Sequence, residues 1–304
     1  MKLVFATRPS ALARWQTAYV IHLIRSAVPD LESEELIITT NGDRINERPL
    51  PDMDGQGLFT SELETALVSG KAQVAVHSLK DLPVDDSPGI VTAAIPPREA
   101  AFDVLVSNKG TLDQLPRGAR VGTCSLRRTA QLLAHRPDLT ILPLRGNVDT
   151  RVRKLMHGEY DAIVLAYAGL ARLGLTSHIS ETFSLDVMLP APGQGALAVQ
   201  CRSDDLRTRG LLTSLHHAPT ADSVLTERAF LSALGGGCAL PIAAYAEENR
   251  GQIILTGAVI SPDGKKSIRL SAMGTDPHQL GNLLAHFVLE RGGADILGVK
   301  QAAI

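Results

Sequence analysis

Apolar and polar positions alternate in two different rhythms along the first two thirds of the chain. Residues 2–7 form a short apolar run suited to a strand. Ser10 then stands where a helix cap belongs, and Leu12, Trp15, Tyr19 and Leu23 follow at spacings that place them on one helical face. Strands are predicted at residues 36–40, 74–78 and 91–95, and a helix over residues 60–69 stopped by Gly70. Strand-like and helix-like segments in alternation predict α/β layers around a largely parallel sheet.

Pro96 and Pro97 interrupt this rhythm, since proline lacks the donor that a helix or an inner strand needs. The chain is expected to cross there into a second domain, with strands at 103–107, 140–145 and 161–166 and helices at 125–136 and 148–157. A second break, Leu189-Pro190-Ala191-Pro192-Gly193-Gln194-Gly195, predicts the return crossing. Two crossings imply a hinged cleft. From about residue 219 the order changes to one helix, two or three grouped strands and a final helix near 278–291, which predicts a small α+β domain. The expected boundaries are residues 1–98 with 196–214, residues 99–195, and residues 215–304.

Composition narrows the function classes. Among 304 residues, 44% are hydrophobic and 20% charged, an ordinary globular balance. Lys and Arg total 30 against 32 Asp and Glu, so the chain lacks the positive field of a dedicated nucleic-acid binder and any anion site must be local. Three scattered cysteines, Cys124, Cys201 and Cys238, predict neither a disulfide framework nor a zinc knuckle. No apolar run approaches the ~18 residues of a membrane span, and no signal-peptide pattern precedes the first strand, so a cytoplasmic protein without membrane or nucleic-acid partners is expected.

The densest cationic signal is Gly122-Thr123-Cys124-Ser125-Leu126-Arg127-Arg128, after a predicted strand and at the start of a predicted helix. Helix-start N–H groups and two guanidinium forks make a receptor for carboxylate or phosphate. An isolated Arg-Arg is more often a solvated helix face, but a second cluster repeats the pattern. Leu144-Arg145-Gly146-Asn147-Val148-Asp149-Thr150-Arg151 also follows a strand and opens a helix. In a parallel sheet both turns lie at the carboxyl edge, where open α/β sheets bind ligands. Arg8, at the end of the first strand, is a third candidate. Several arginines imply a substrate with several acids.

Lys80 and Asp81 sit just past an apolar strand and before Pro83, a place where a surface turn with a weak ion pair is the ordinary occupant. Among the arginines, however, that carboxylate could stabilise a cationic intermediate. Cys238 follows Gly235-Gly236-Gly237. Cysteine is commonly a small buried hydrophobe, whereas three glycines permit close backbone approach and leave room at sulfur.

Taken in order, these stretches resemble the porphobilinogen deaminase (hydroxymethylbilane synthase) family over nearly the whole chain. The resemblance rests on Ala6-Thr7-Arg8 with Ser10, Gly57-Leu58-Phe59 with Glu62-Leu63-Glu64, and His77 through Pro83. It continues through Gly122-Thr123 with Ser125 to Arg128, Leu144 to Val148 with Thr150-Arg151, Gly193 to Ala196, and Gly236-Gly237-Cys238. It implies two periplasmic-binding-protein-like α/β domains, a small C-terminal α+β domain, and a monomeric transferase of tetrapyrrole and haem biosynthesis. That enzyme joins four porphobilinogens head to tail with loss of ammonia, on a dipyrromethane cofactor held by a thioether at Cys238, and releases the linear product by hydrolysis. The resemblance implies a catalytic role for Asp81 at the pyrrole nitrogens. It assigns Lys80, Asp81, Thr123, Ser125, Arg127, Arg128 and Gly146 to the cofactor, and Arg8, Ser10, Arg145, Arg151, Arg172 and Gln194 to substrate or growing chain. It implies no metal.

Four positions depart from the family pattern: Asn41 in place of a frequent Arg, Gln56 in place of Lys, Cys124 in place of Ser, and Gly235 in place of Glu. A non-catalytic binding protein for a small polyanion is the competing expectation, because that class shares the hinged two-domain plan. It would need neither Cys238 nor a third domain.

Overall fold

A computed structural model describes residues 2–44, 60–236 and 240–298. In chain order, β1 (Lys2–Thr7), α1 (Ala11–Ala27), β2 (Glu32–Ile37), α2 (Asn41–Arg44), α3 (Ser61–Val68), β3 (Val74–Ser78) and β4 (Ile90–Ala94) come first. There follow β5 (Asp103–Ser107), β6 (Arg120–Gly122), α4 (Leu126–His135), β7 (Thr140–Leu142), α5 (Val148–Met156), β8 (Ala162–Ala166), α6 (Tyr167–Arg172) and β9 (Ile179–Thr182). The chain continues through β10 (Leu197–Arg202), α7 (Leu206–Thr213) and α8 (Ala218–Ala233), then β11 (Ile242–Asn249), β12 (Gln252–Ile260), β13 (Ser267–Gly274), α9 (Pro277–Val288) and α10 (Ala294–Leu297).

These elements form two compact units, residues 1–99 with 195–221 and residues 100–194 with 222–304. The first holds a five-stranded sheet of order β2-β1-β3-β10-β4. The second holds a five-stranded sheet, β7-β6-β8-β5-β9, and a three-stranded one, β11-β12-β13. Each five-stranded sheet is largely parallel, as expected, with a single reversed strand. β1 runs parallel to β2 and β3, but β10 enters between β3 and β4 antiparallel to both. Likewise β6 runs parallel to β7 and β8, and β5 lies antiparallel to β8 and β9. The reversed strand in each sheet is the one delivered by a crossing, near residue 100 or residue 196, and local periodicity does not reveal its direction.

The strands that carry site residues are apolar because both faces are covered. Val104 and Val106 of β5 pack with Val152, Leu155, Ile163 and Leu165, while Leu105 between them packs on the other face with Val121, Leu132, Val164 and Phe183. In the first unit Phe5, Val74 and Val76 meet Val20 and Ile24 of α1, and Ala6 and Ala75 meet Leu63 and Leu67 of α3.

The three-stranded sheet covers one face with Phe230, Leu280, Leu284 and Val288. Its other face sets Ala243, Ala258 and Ile260 against Ala130 and Leu189. Where β12 turns into β13, Gly264 adopts φ +74° and lies so close to α4 that an added Cβ would stand 2.4 Å from the Ala134 nitrogen. This hairpin therefore seats directly on the helix that carries Arg127 and Arg128. No helix among the described residues is long and apolar enough to cross a membrane.

Candidate active site

In the first unit, β1 ends at the buried Thr7, and Ser10 caps α1 by accepting a hydrogen bond from the Ala13 N–H at 3.3 Å. Arg8 lies between them and grips Asp43 with two nitrogens, the Nε–Oδ2 distance being 3.1 Å and Nη2 lying on Oδ1. Asp43 also accepts from the Thr40 N–H and hydroxyl. Burial works against the charge of Asp43, but the Arg8 contact and the Thr40 donors outweigh it and hold the carboxyl below its usual range. Thr40-Asn41-Gly42-Asp43 is the stretch whose Asn41 departs from the family pattern; its aspartate remains and holds Arg8.

Beside β1, strand β3 runs into the 3-10 turn Leu79–Asp81. The turn is tied down by the Leu79 N–H donating to the Ala196 carbonyl of the return crossing. Lys80 is half-buried, whereas the Asp81 carboxylate is exposed and has no partner among the described residues. His77, one residue before the end of β3, is buried, and its Nε2 has no partner in hydrogen-bonding geometry. Burial, aided by the charge of Arg8, pulls its pKa down to about 4.

In the second unit β6 and β7 are adjacent parallel strands, so the turns that follow them share one carboxyl edge. Thr123 is buried there and accepts from the Ser125 N–H at 3.1 Å; Ser125 in turn caps α4, accepting from the Arg128 N–H at 3.4 Å. Gly146, at φ +112°, turns the chain into α5, and its carbonyl accepts from Arg151 Nε at 2.7 Å. Arg145 is half-buried, and its guanidinium has no partner among the described residues. Arg172 is buried at the end of α6, the helix that follows the neighbouring strand β8.

Arg127 and Arg128 are buried rather than solvated, at 4% and 7% exposure. Both bind Asp103, the first residue of β5, which the sequence reading passed over. Arg127 Nη1 lies 2.7 Å from Asp103 Oδ2 and 2.7 Å from the Leu189 carbonyl. Arg128 places Nε and Nη2 on Asp103 Oδ1, at 3.0 and 2.7 Å, and Nη1 on the Val164 carbonyl. Gln194 completes the cluster by donating to Asp103 Oδ1 and to the Ala101 carbonyl. Burial pushes the Asp103 carboxyl up, but the two guanidiniums overcome this and hold it well below the ordinary carboxylate range. The only local signal was an acidic residue opening an otherwise apolar strand.

Of the three cysteines, Cys201 is buried, and burial pushes its thiol up to about 11, which leaves it protonated and inert. Cys124 is half-buried before α4. The expected cofactor attachment at Cys238 lies outside the described residues, as do Gln56 and Gly57-Leu58-Phe59.

The second unit's edge thus offers a guanidinium at Arg145 with no partner among the described residues, a buried cluster with more arginine than aspartate, and two helix starts, one capped by the Ser125 hydroxyl. This donor set suits a ligand with several carboxylates. Within the first unit, by itself, Asp81 presents an exposed carboxylate on a braced turn. Arginines at the strand ends of an α/β sheet are the donor chemistry of a protein class that handles polyanionic small molecules.

Comparison with known proteins identifies which. Residues 3–210 match the family model of the porphobilinogen deaminase dipyromethane cofactor binding domain, and residues 221–290 match that of the porphobilinogen deaminase C-terminal domain. Porphobilinogen deaminase of Brevibacillus brevis is 48% identical over 294 residues, covering 96% of this chain and 95% of its own. That of a Geobacillus species is 46% identical over 299 residues, covering 97% and 96%. Among solved structures, the methionine binding protein MetQ is similar with a TM-score of 0.44 at 12% identity, over 70% of this chain and 89% of that one. The chain belongs to the porphobilinogen deaminase family.

Proposed function

We propose that this chain is a hydroxymethylbilane synthase in which Asp81 is the catalytic carboxylate and Cys238 carries the dipyrromethane. The observation that supports it most directly is that a member of this family presents, in its first unit, an unpartnered carboxylate on a braced turn and, in its second, a carboxyl edge rich in arginine. Family membership decides against a non-catalytic polyanion binder, whose plan has no use for a cysteine-bearing C-terminal segment.

When bound, the dipyrromethane supplies the pyrrole α-carbon that begins the chain. Thr123, Ser125, Gly146, Arg127, Arg128 and Lys80 hold its carboxylates, while Arg8, Ser10, Arg145, Arg151, Arg172 and Gln194 hold those of porphobilinogen and the lengthening product. Guanidinium forks grip carboxylates with two parallel hydrogen bonds, which fixes orientation as well as charge. Each cycle expels ammonia from the porphobilinogen aminomethyl group, forms a carbon–carbon bond from that methylene, and releases the α-proton. Positive charge spreads over the pyrrole nitrogen along the way. In this reading Asp81 stabilises that charge and moves the proton. Cys238, within the segment from residue 215 onward that acts as a third domain, keeps the growing product tethered. The enzyme works as a cytoplasmic monomer.

Intact mass tests this reading. The purified parent carries the mass of two pyrrole units beyond its sequence, Cys238→Ser does not, and Cys124→Ser and Cys201→Ser do. Asp81→Asn keeps the adduct and loses at least ~100-fold in single-turnover rate, the lower range for a key electrostatic or proton-transfer group, with Asp81→Glu less impaired. A Cys238→Ser protein that retains both adduct and activity overturns the assignment. So does a fully loaded Asp81→Asn protein that turns over at the parental rate.

A further inference from the structure

Arg127, Arg128 and Gln194, assigned above to ligand carboxylates, converge on one residue that the family pattern did not single out. Asp103 is fully buried and takes four hydrogen bonds from these three side chains. The cluster draws on three places in the chain: β5 supplies the carboxylate, α4 the two guanidiniums, and the return crossing Gln194. The crossing is held again at the Leu189 carbonyl, which accepts from Arg127 Nη1 and from Gln131 Nε2.

Two adjacent guanidiniums in a buried place repel each other and lose hydration, so neither would hold a fixed direction there unaided. Asp103 removes the repulsion and orients both forks. Oδ1 takes Nε and Nη2 of Arg128 as a pair, and Oδ2 takes Nη1 of Arg127. Nε and Nη2 of Arg127 are left with no partner among the described residues. The charge is also incomplete, because one carboxylate faces two guanidiniums and a net positive charge remains in a buried cluster. Such a cluster accepts one further carboxylate with little reorganisation, since its donors are already aimed.

We propose that Asp103 is the positioning residue of the cofactor site: it aims Arg127 and Arg128, and couples that aim to the crossing at Gln194, so that its charge governs how fast the protein acquires its dipyrromethane. The proposal rests on the functional reading above. It predicts that changing Asp103 slows loading per folded molecule, whereas a purely structural carboxylate would change only how much protein folds.

The test uses the full chain produced in cells unable to make porphobilinogen, then exposed to porphobilinogen, with adduct followed by intact mass and the folded fraction by circular dichroism. Asp103→Asn should load at least tenfold more slowly per folded molecule than the parent. Asp103→Glu keeps the charge but moves it by one methylene; it should fold, load at an intermediate rate and, once loaded, show parental kcat with raised KM. Because Asp103→Asn could fail to fold, Asp103→Glu decides on its own: parental loading rate together with parental KM overturns the proposal. A folded Asp103→Asn protein that loads at the parental rate overturns it equally. A parent that gains no mass overturns the functional reading itself, which is a separate outcome.

Discussion

In the first sheet, β1 ends at Thr7 and hands the chain to α1 through the Ser10 cap; in the second, β6 runs into Thr123 and hands it to α4 through the Ser125 cap. The match extends to small details. Just before the third strand, Gln73 Oε1 accepts from the Val4 N–H in one sheet, and Asp161 Oδ2 accepts from the Arg120 N–H in the other. The charges at the strand ends are handled differently. Arg8 and Asp43 meet at 20% and 11% side-chain exposure, while Arg127, Arg128 and Asp103 meet at 5%, 8% and 0%. The same backbone plan thus holds one arginine near water, where it can exchange partners, and two others in a fixed cage.

The largest expected difference follows from burial. Removing one member of a buried pair leaves a charge that water cannot reach, so Arg127→Ala should cost about 3 kcal/mol or more. Arg8→Ala, at a partly hydrated pair, should cost about 1 kcal/mol or less. Urea unfolding of both variants and the parent, all without cofactor, measures this. Equal losses would mean that the two sheets hold their charges alike after all.

A second contrast lies at the fourth residue of the third strand, His77 in β3 and Leu165 in β8. Both are buried, but only the first titrates. The unfolded chain takes up a proton on this histidine near 6.5, and the folded chain resists until about 4. The folded state therefore has the full benefit of neutral His77 above pH 6.5 and loses it as pH falls through that window, by about 3 kcal/mol in all. His77→Leu, which copies the second sheet, should flatten stability between pH 6.5 and 4 relative to the parent. Parallel pH profiles for parent and variant would place the acid sensitivity elsewhere.

What the sequence disclosed follows the same division between local and distant causes. Strands at 2–7, 74–78 and 103–107 were legible because each holds at least three consecutive apolar residues, most of them buried. β2 was expected at 36–40 and lies at Glu32–Ile37, since as an edge strand it carries glutamates, one of them paired with Lys2, and reads as polar. The arginine turns were legible from their glycines, hydroxyls and helix starts. Asp103 was not, because its meaning depends on partners 24, 25 and 91 residues away. Nothing local separates it from an acid at a solvated strand end.

The smallest expected effects come from the two serine caps, and they separate capping from ligand binding. Each serine satisfies one N–H at a helix start, so Ser10→Ala and Ser125→Ala should each cost about 1 kcal/mol in unfolding experiments. Asparagine caps as well as serine does, so Ser10→Asn and Ser125→Asn should recover that stability. They replace the hydroxyl with a bulkier amide, however. If Ser125 also meets a cofactor carboxylate, Ser125→Asn should regain stability by capping the Arg128 N–H without regaining the loading rate, because the bulkier amide does not take the hydroxyl's place at that carboxylate. If Ser10 meets incoming substrate, Ser10→Asn should load normally and show a raised KM for porphobilinogen. Loading that recovers together with stability in Ser125→Asn would reduce this serine to a helix cap, and would leave the buried arginines and the backbone donors of α4 as that turn's whole contribution to the site.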